Sequence, residues 1–166
     1  VFGAWMLSAL TGWLSPVALG VIWGYSLSKR YTWLCHLILG LALALAPTAV
    51  WIGLTGSFGW IPALLSLAVG SWVAGFDIIY ACQDTDFDSS EGLYSLPAVF
   101  GLTRALVISV ALHVLTVIAL AALPWLTPMG WPYWLGFVLI VGVLGWEHAI
   151  VKPDDFSRVN KAFFVL

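Results

Sequence analysis

The sequence predicts an all-α, polytopic transmembrane helix bundle, and three observations carry that prediction. The chain of 166 residues is 62% hydrophobic and only 8% charged, where an ordinary soluble domain is about 25% charged. Its charges fall in three short clusters: Lys29 and Arg30; Asp77, Asp84, Asp86, Asp88, Glu91 and Arg104; and Glu147, Lys152, Asp154, Asp155, Arg158 and Lys161. The stretches 31–76 and 105–146 carry no charge, and each is about the length of two spans of ~20 residues joined by a turn. Two spans bring a chain back to the side it left, so every charge is expected on one face of a membrane. Backbone in lipid must satisfy its own hydrogen bonds, as helices or closed barrels do. The apolar stretches are too long, and alternate too little, for barrel strands.

The elements follow in order. Residues 1–10 read as the end of a span and Thr11–Pro16 as a turn, with Pro suited to a first helical position. A helix is expected from about Pro16 to Lys29. A full span covers Leu34–Leu54, interrupted by Pro47, and Thr55–Gly59 forms the next turn. Trp60 to about Asp88 reads as one long helix whose last turns leave the apolar zone. A polar loop, Ser89–Thr103, precedes a span over Arg104–Leu123. Pro124–Pro132 turns the chain into a span from Tyr133 to about Val151. Pro153, Asp154 and Asp155 mark a further helical start, since acids suit a helix N-terminus.

All six Lys and Arg residues lie on the charged face, which the positive-inside rule makes cytoplasmic. Trp13, Trp60, Trp125 and Trp131 sit near the predicted uncharged turns, as an interfacial aromatic belt requires. Cys35 and Cys82 lie near the charged face, lack metal-site spacing and are expected to be reduced thiols. No basic n-region of a secretory signal is seen at the start. The chain opens on Val1 within an apolar run and closes on Phe163-Phe164-Val165-Leu166, so it reads as part of a longer protein.

The second cluster holds the candidate chemistry. On an uninterrupted helix, with each residue advancing about 100°, Asp77, Asp84 and Asp88 fall within about 40° of one another, Tyr80 flanks them and Asp86 points away. Asp84 and Asp88 stand ~6 Å apart along the axis. Like carboxylates stacked in this way resist ionising together, and a divalent cation removes the conflict. Mg²⁺ is commonly held by one or two carboxylates plus substrate phosphates. The pattern therefore predicts a site for a magnesium-bound phosphate or diphosphate, with Asp84 and Asp88 as ligands. A solvated acidic helix end is the plain alternative, weakened by Asp77, whose near-lipid depth is costly without a function.

Lys29 and Arg30 are either topology anchors or neutralise the same diphosphate, Lys as a point charge and Arg as a fork. Tyr25, one turn earlier, can aim its hydroxyl at the same place. Arg104 is either a snorkelling anchor or a further phosphate contact. His113, mid-span, is expected to be packed and hydrogen-bonded. His36 and His148 form no zinc pattern with the cysteines, and Glu147 with His148 reads as a loop ion pair.

Asp77-x-x-Tyr80-Ala81-x-x-Asp84-x-x-x-Asp88 resembles the second aspartate-rich motif of the UbiA-type membrane prenyltransferases. Glu91–Gly101 is similar to the loop that follows it in that family. Tyr25-x-x-x-Lys29-Arg30-Tyr31-Thr32 resembles the family's Tyr-Pro-x-x-Lys-Arg-x-Thr segment, with Ser26 in place of the usual Pro. The stretch from Glu147 to Asn160 is similar to the corresponding region of bacterial 4-hydroxybenzoate polyprenyltransferases and of the related enzymes of menaquinone synthesis. The resemblance implies part of a nine-helix bundle, here the C-terminal part, with the N-terminal helices and their first aspartate motif absent, so that this part is expected to be inactive alone. It implies Mg²⁺-dependent transfer of a polyprenyl group from its diphosphate to an aromatic acid. The acceptor is 4-hydroxybenzoate or, by the same mechanism, a menaquinone precursor. Asp77 is then a base or a supporting residue. The expected partners are the two substrates and membrane lipid, with no nucleic acid. A cation transporter or channel and a membrane scaffold are the rival readings. Transporters usually place charge near the bilayer midplane, and a scaffold needs no shared acidic stripe.

Overall fold

The computed structural model describes residues 2–151. Their regular structure is all helical, with no strand among the described residues. The helices are α1 (Phe2–Leu7), α2 (Ala9–Ser28), α3 (Cys35–Thr55), α4 (Trp60–Ala81), α5 (Thr85–Ser90), α6 (Leu96–Phe100), α7 (Leu102–Ala122) and α8 (Trp131–Ile150). Five segments are long and apolar enough to cross a membrane: Ala9–Ser28, Cys35–Thr55, Trp60–Ser90, Leu102–Trp125 and Trp131–Ile150. The protein is an integral membrane helix bundle, as its composition predicts. The helical start expected at Pro153–Asp155 lies outside the described residues.

α4 is the central helix, packed against α3 on one side and α7 on the other. Small residues let these helices approach, the usual device where lipid offers no hydrophobic drive for association. Gly40 of α3 meets Gly70 of α4 so closely that a Cβ on Gly40 would stand 2.3 Å from the Gly70 carbonyl oxygen. Polar side chains add interhelical bonds. Thr48 and Ser66 hydroxyls are 2.7 Å apart, those of Ser71 and Thr116 are 2.8 Å apart, and Ser109 donates to the Gly75 carbonyl at 2.7 Å. Gly75 also leaves room for the His113 ring, which a Cβ there would meet at 2.4 Å. Trp60, Trp125 and Trp131 stand exposed at the uncharged ends of their helices.

Four sequence expectations need correction. First, Thr11–Pro16 is not a turn but lies inside α2. The break falls at Ser8, whose hydroxyl accepts from the Thr11 N–H at 3.1 Å as an N-cap. Pro16 supplies no N–H to the Gly12 carbonyl, and the Ser15 hydroxyl donates to it instead at 2.9 Å. Gly12 is there for space: a Cβ would come within 2.3 Å of the Trp5 ring. Secondly, Pro47 does not interrupt its span, since α3 runs through it.

Thirdly, the helix beginning at Trp60 does not continue unbroken to Asp88. It tightens into a 3-10 turn at Cys82–Asp84 before α5 begins. Thr85 donates its hydroxyl to the Cys82 carbonyl at 2.9 Å, the kind of side-chain bond that competes with the α-helical ladder. Fourthly, Ser89–Thr103 is not all loop. Ser89 and Ser90 complete α5, and Ser95 caps the short helix α6, accepting from the Ala98 N–H at 3.4 Å with Pro97 in its first turn. Gly101, at φ 82°, then makes the corner into α7.

The Gly40–Gly70 contact gives a test. Gly40→Ala should destabilise the protein by about 1–3 kcal/mol, the cost of overpacking against unyielding backbone. Gly24→Ala, whose added methyl meets nothing within 4 Å, should be neutral or stabilise by up to ~1 kcal/mol. Thermal unfolding of both variants in detergent micelles checks the difference.

Candidate functional site

The described charges gather at one end of the bundle, at the end of α2, along the last turn of α4 and α5, at the start of α7 and in the last turn of α8. Asp88 is the most demanding of them. Its side chain has no exposure to water, and a buried carboxylate needs a cation. Lys29, at the C-terminal boundary of α2, places its Nζ 2.8 Å from Asp88 Oδ1. The ammonium meets Oδ1 as an ion pair rather than along a hydrogen-bond direction, and Oδ2 has no hydrogen-bond donor.

A backbone bond ties the α2–α3 connection to the α5–α6 connection: the Tyr94 N–H donates to the Lys29 carbonyl at 2.8 Å, while the Leu93 N–H closes the end of α5 on the Asp88 carbonyl at 2.8 Å. The Cys35 thiol lies 3.4 Å from the Tyr94 carbonyl. Both cysteines are buried and free.

Next to this junction is a pocket of about 280 Å³ lined by Tyr25, Lys29, His36, Asp77, Tyr80 and Asp84, with Ser26, Cys35 and Ala81. Five of the sequence-predicted residues, Tyr25, Lys29, Asp77, Tyr80 and Asp84, are therefore brought to one place. Asp88 joins them through Lys29 rather than by lining the pocket. Arg30 and Arg104 are exposed and do not line it. The unbroken helix assumed for the ridge of Asp77, Asp84 and Asp88 is interrupted by the 3-10 turn at Cys82–Asp84; Asp77 and Asp84 line the pocket, and Asp88 meets Lys29. Asp84 is exposed and Asp77 half-buried.

Sequence reasoning missed His36. Its ring is buried, with Nδ1 2.6 Å from Asp77 Oδ2 and Nε2 3.2 Å from the Leu96 backbone nitrogen. An N–H can only donate, so Nε2 is the acceptor and Nδ1–H donates to Asp77. Depth was the available signal: His36 and Asp77 each lie about one helical turn inside the charged edge, and an acid at that depth requires a partner.

A second polar cluster lies between α7 and α8. His113 Nε2 stands 3.2 Å from the Trp72 carbonyl, and Nδ1 stands 2.9 Å from His148 Nε2 and 3.8 Å from Glu147 Oε2. His113 is packed and hydrogen-bonded, as predicted. Glu147 and His148 are not a loop ion pair but occupy the last turn of α8 and face His113.

For a divalent cation, no group of three or more His, Cys, Asp or Glu side chains able to hold an ion is found among the described residues. Asp77 and Asp84 on the pocket, and a donor-free oxygen on Asp88, fit the other mode of Mg²⁺ binding, in which substrate phosphates complete the shell.

An apolar groove of about 850 Å³ runs from Tyr25 along Ile22, Leu39, Leu43, Val50 and Leu54 between α2, α3 and α4. Tyr25 lines both the groove and the polar pocket.

A family model described as the UbiA prenyltransferase family matches residues 1–166. A 4-hydroxybenzoate octaprenyltransferase of Klebsiella pneumoniae subsp. pneumoniae is 31% identical over 157 residues, covering 95% of this chain and 54% of that protein. The protein of the same name from Cupriavidus necator is 30% identical over 160 residues, covering 95% of this chain and 55% of its own length. The chain thus spans about half the length of these curated relatives. Among solved structures, the apo structure of a UbiA homolog from Aeropyrum pernix K1 matches with a TM-score of 0.85 at 31% identity, covering 96% of this chain and 60% of that one. With the family model over the whole chain, the curated relatives and the solved fold in agreement, the chain belongs to the UbiA prenyltransferase family.

Proposed function

We propose that this chain supplies the diphosphate-binding part of an integral-membrane aromatic polyprenyltransferase. The activity is that of the whole protein: Mg²⁺-dependent transfer of a polyprenyl group from its diphosphate to 4-hydroxybenzoate in quinone biosynthesis. One observation carries the reading: a charged pocket and a long apolar groove share Tyr25 as their common wall. An isoprenoid diphosphate has the same two parts in the same order. The names of the curated relatives favour 4-hydroxybenzoate as acceptor. We place the charged face in the cytoplasm and the protein in the bacterial inner membrane, from its basic residues.

Asp84 lies open on the pocket, and Asp88 becomes available when Lys29 turns to the diphosphate; these two carboxylates are the proposed metal ligands. Bound there, Mg²⁺ would neutralise the charge that develops as the allylic C–O bond breaks. Lys29 adds a point charge and Tyr25 a hydroxyl to the same oxygens, while Arg30 and Arg104 stand near enough to the charged end to steer the anion. Apolar and aromatic walls keep water from the allylic cation. Asp77 accepts the proton that the acceptor ring loses once its carbon has bonded to the prenyl group.

Two tests follow on the full-length protein in membranes. Transfer should require Mg²⁺, and Asp84→Asn should lower kcat by about a hundredfold or more, the scale for removing one group that stabilises developing charge. Wild-type turnover in that variant places the metal elsewhere. Lys29→Met leaves Asp88 buried without a cation and should lower stability by about 1–3 kcal/mol, less than for a fully buried pair because Lys29 is 36% exposed. Adding Asp88→Asn should restore much of that stability and none of the transfer, as thermal melts and a prenyl-transfer assay would report.

A further inference from the structure

We infer that His36 is a positioning residue for Asp77, holding one carboxylate oxygen so that the rest of the group faces the bound acceptor. The inference deepens the proposed prenyl transfer and rests on that reading. Its basis is a continuous chain of donors running in one direction. The Leu96 N–H, at the start of α6, donates to His36 Nε2 at 3.2 Å, and His36 Nδ1–H donates to Asp77 Oδ2 at 2.6 Å. Helix N-termini leave N–H groups without intrahelical partners, and here one of them fixes which ring nitrogen carries the proton. His36 is 2% exposed and the Asp77 side chain 22% exposed. The imidazole is therefore held from behind while the carboxylate reaches the pocket. An Asp with one oxygen anchored cannot swing toward Lys29 or Asp84, and a catalytic base must be held within hydrogen-bond reach of its proton.

The arrangement spans three elements. His36 stands in the first turn of α3, Asp77 near the end of α4 and Leu96 at the start of α6. The two connections that Lys29 and Asp88 pin together therefore also set the angle of Asp77. Burial alone does not account for this, since a methionine would fill the space and make neither bond.

The experiment compares His36→Met with His36→Gln in the full-length enzyme. Gln carries a donor N–H and an acceptor oxygen and can keep both bonds. His36→Met should lower kcat on the order of ten- to a hundredfold, the usual scale for removing an orienting partner, with the KM for the prenyl diphosphate little changed. An acceptor deuterated at its attacked ring carbon should then show a primary isotope effect on kcat that the wild type lacks, because proton removal has become slow. His36→Gln should restore kcat and abolish the isotope effect. If His36→Met does not fold, His36→Leu, which fills space and bonds to neither partner, carries the same expectation. Wild-type kcat in the Met or Leu variant, a Gln variant as impaired as the others, or a loss of kcat without an isotope effect would each overturn the inference. An inactive wild-type enzyme with every acceptor would instead remove the proposed function.

Discussion

A carboxylate sealed from water has to find a cation, and in this bundle that demand falls on Asp88. Lys29 meets it at 2.8 Å from the other side of the charged end. Such pairs add little net stability, because desolvating both charges offsets most of their attraction, yet losing one partner is expensive. The pair therefore acts on geometry. It brings the α2–α3 connection against the α5–α6 connection. The bonds from Tyr94 N–H to the Lys29 carbonyl and from Leu96 N–H to His36 then close the seam. The pocket at the charged end has this seam as one of its walls.

The three acids of the charged end have different neighbours. On an unbroken helix they would share one ridge, and each would hinder the ionisation of the others; here a 3-10 turn at Cys82–Asp84 interrupts that helix. Asp77 takes a histidine donor, Asp88 takes a lysine, and Asp84 is left open on the pocket. Much of the repulsion that the spacing implies is thus relieved by protein groups before any ligand arrives. A diphosphate that draws Lys29 toward itself uncovers the carboxylate Lys29 had been neutralising, so on the proposed reading anion and metal binding reinforce each other.

The spans were legible because their cause is local. Charge exclusion from hydrocarbon acts residue by residue, and the predicted Leu34–Leu54 and Tyr133–Val151 lie within two residues of the observed Cys35–Thr55 and Trp131–Ile150. The errors arose where a residue answers to something distant. Gly12 reads as a turn signal, but the Trp5 ring over it is what excludes a side chain. Pro16 reads as a helix start, but the Ser15 hydroxyl supplies the bond that proline lacks. The acidic residues were marked as the candidate site, and Tyr25, Lys29, Tyr80 and Asp84 do share a pocket with Asp77. The partner of Asp77 was missed because His36 is 41 positions away and only the antiparallel packing of α3 on α4 makes them neighbours.

The position of the site at one end of the bundle follows from the two-phase character of the proposed substrate. Each methylene of an isoprenoid tail costs about 0.8 kcal/mol to bring into water, so a tail of dozens of carbons keeps the substrate in the bilayer. A diphosphate is as strongly held on the water side, since burying its charge without counter-ions is prohibitive. The reacting carbon lies where the two meet and can move little in either direction. Tyr25, apolar in its ring and polar at its tip, occupies that boundary, with the groove on one side and Lys29, Asp77 and Asp84 on the other. Charge placed any deeper along α2 or α4 would need a buried partner of its own, as Asp77 already does. Charge placed further out would no longer reach the scissile bond.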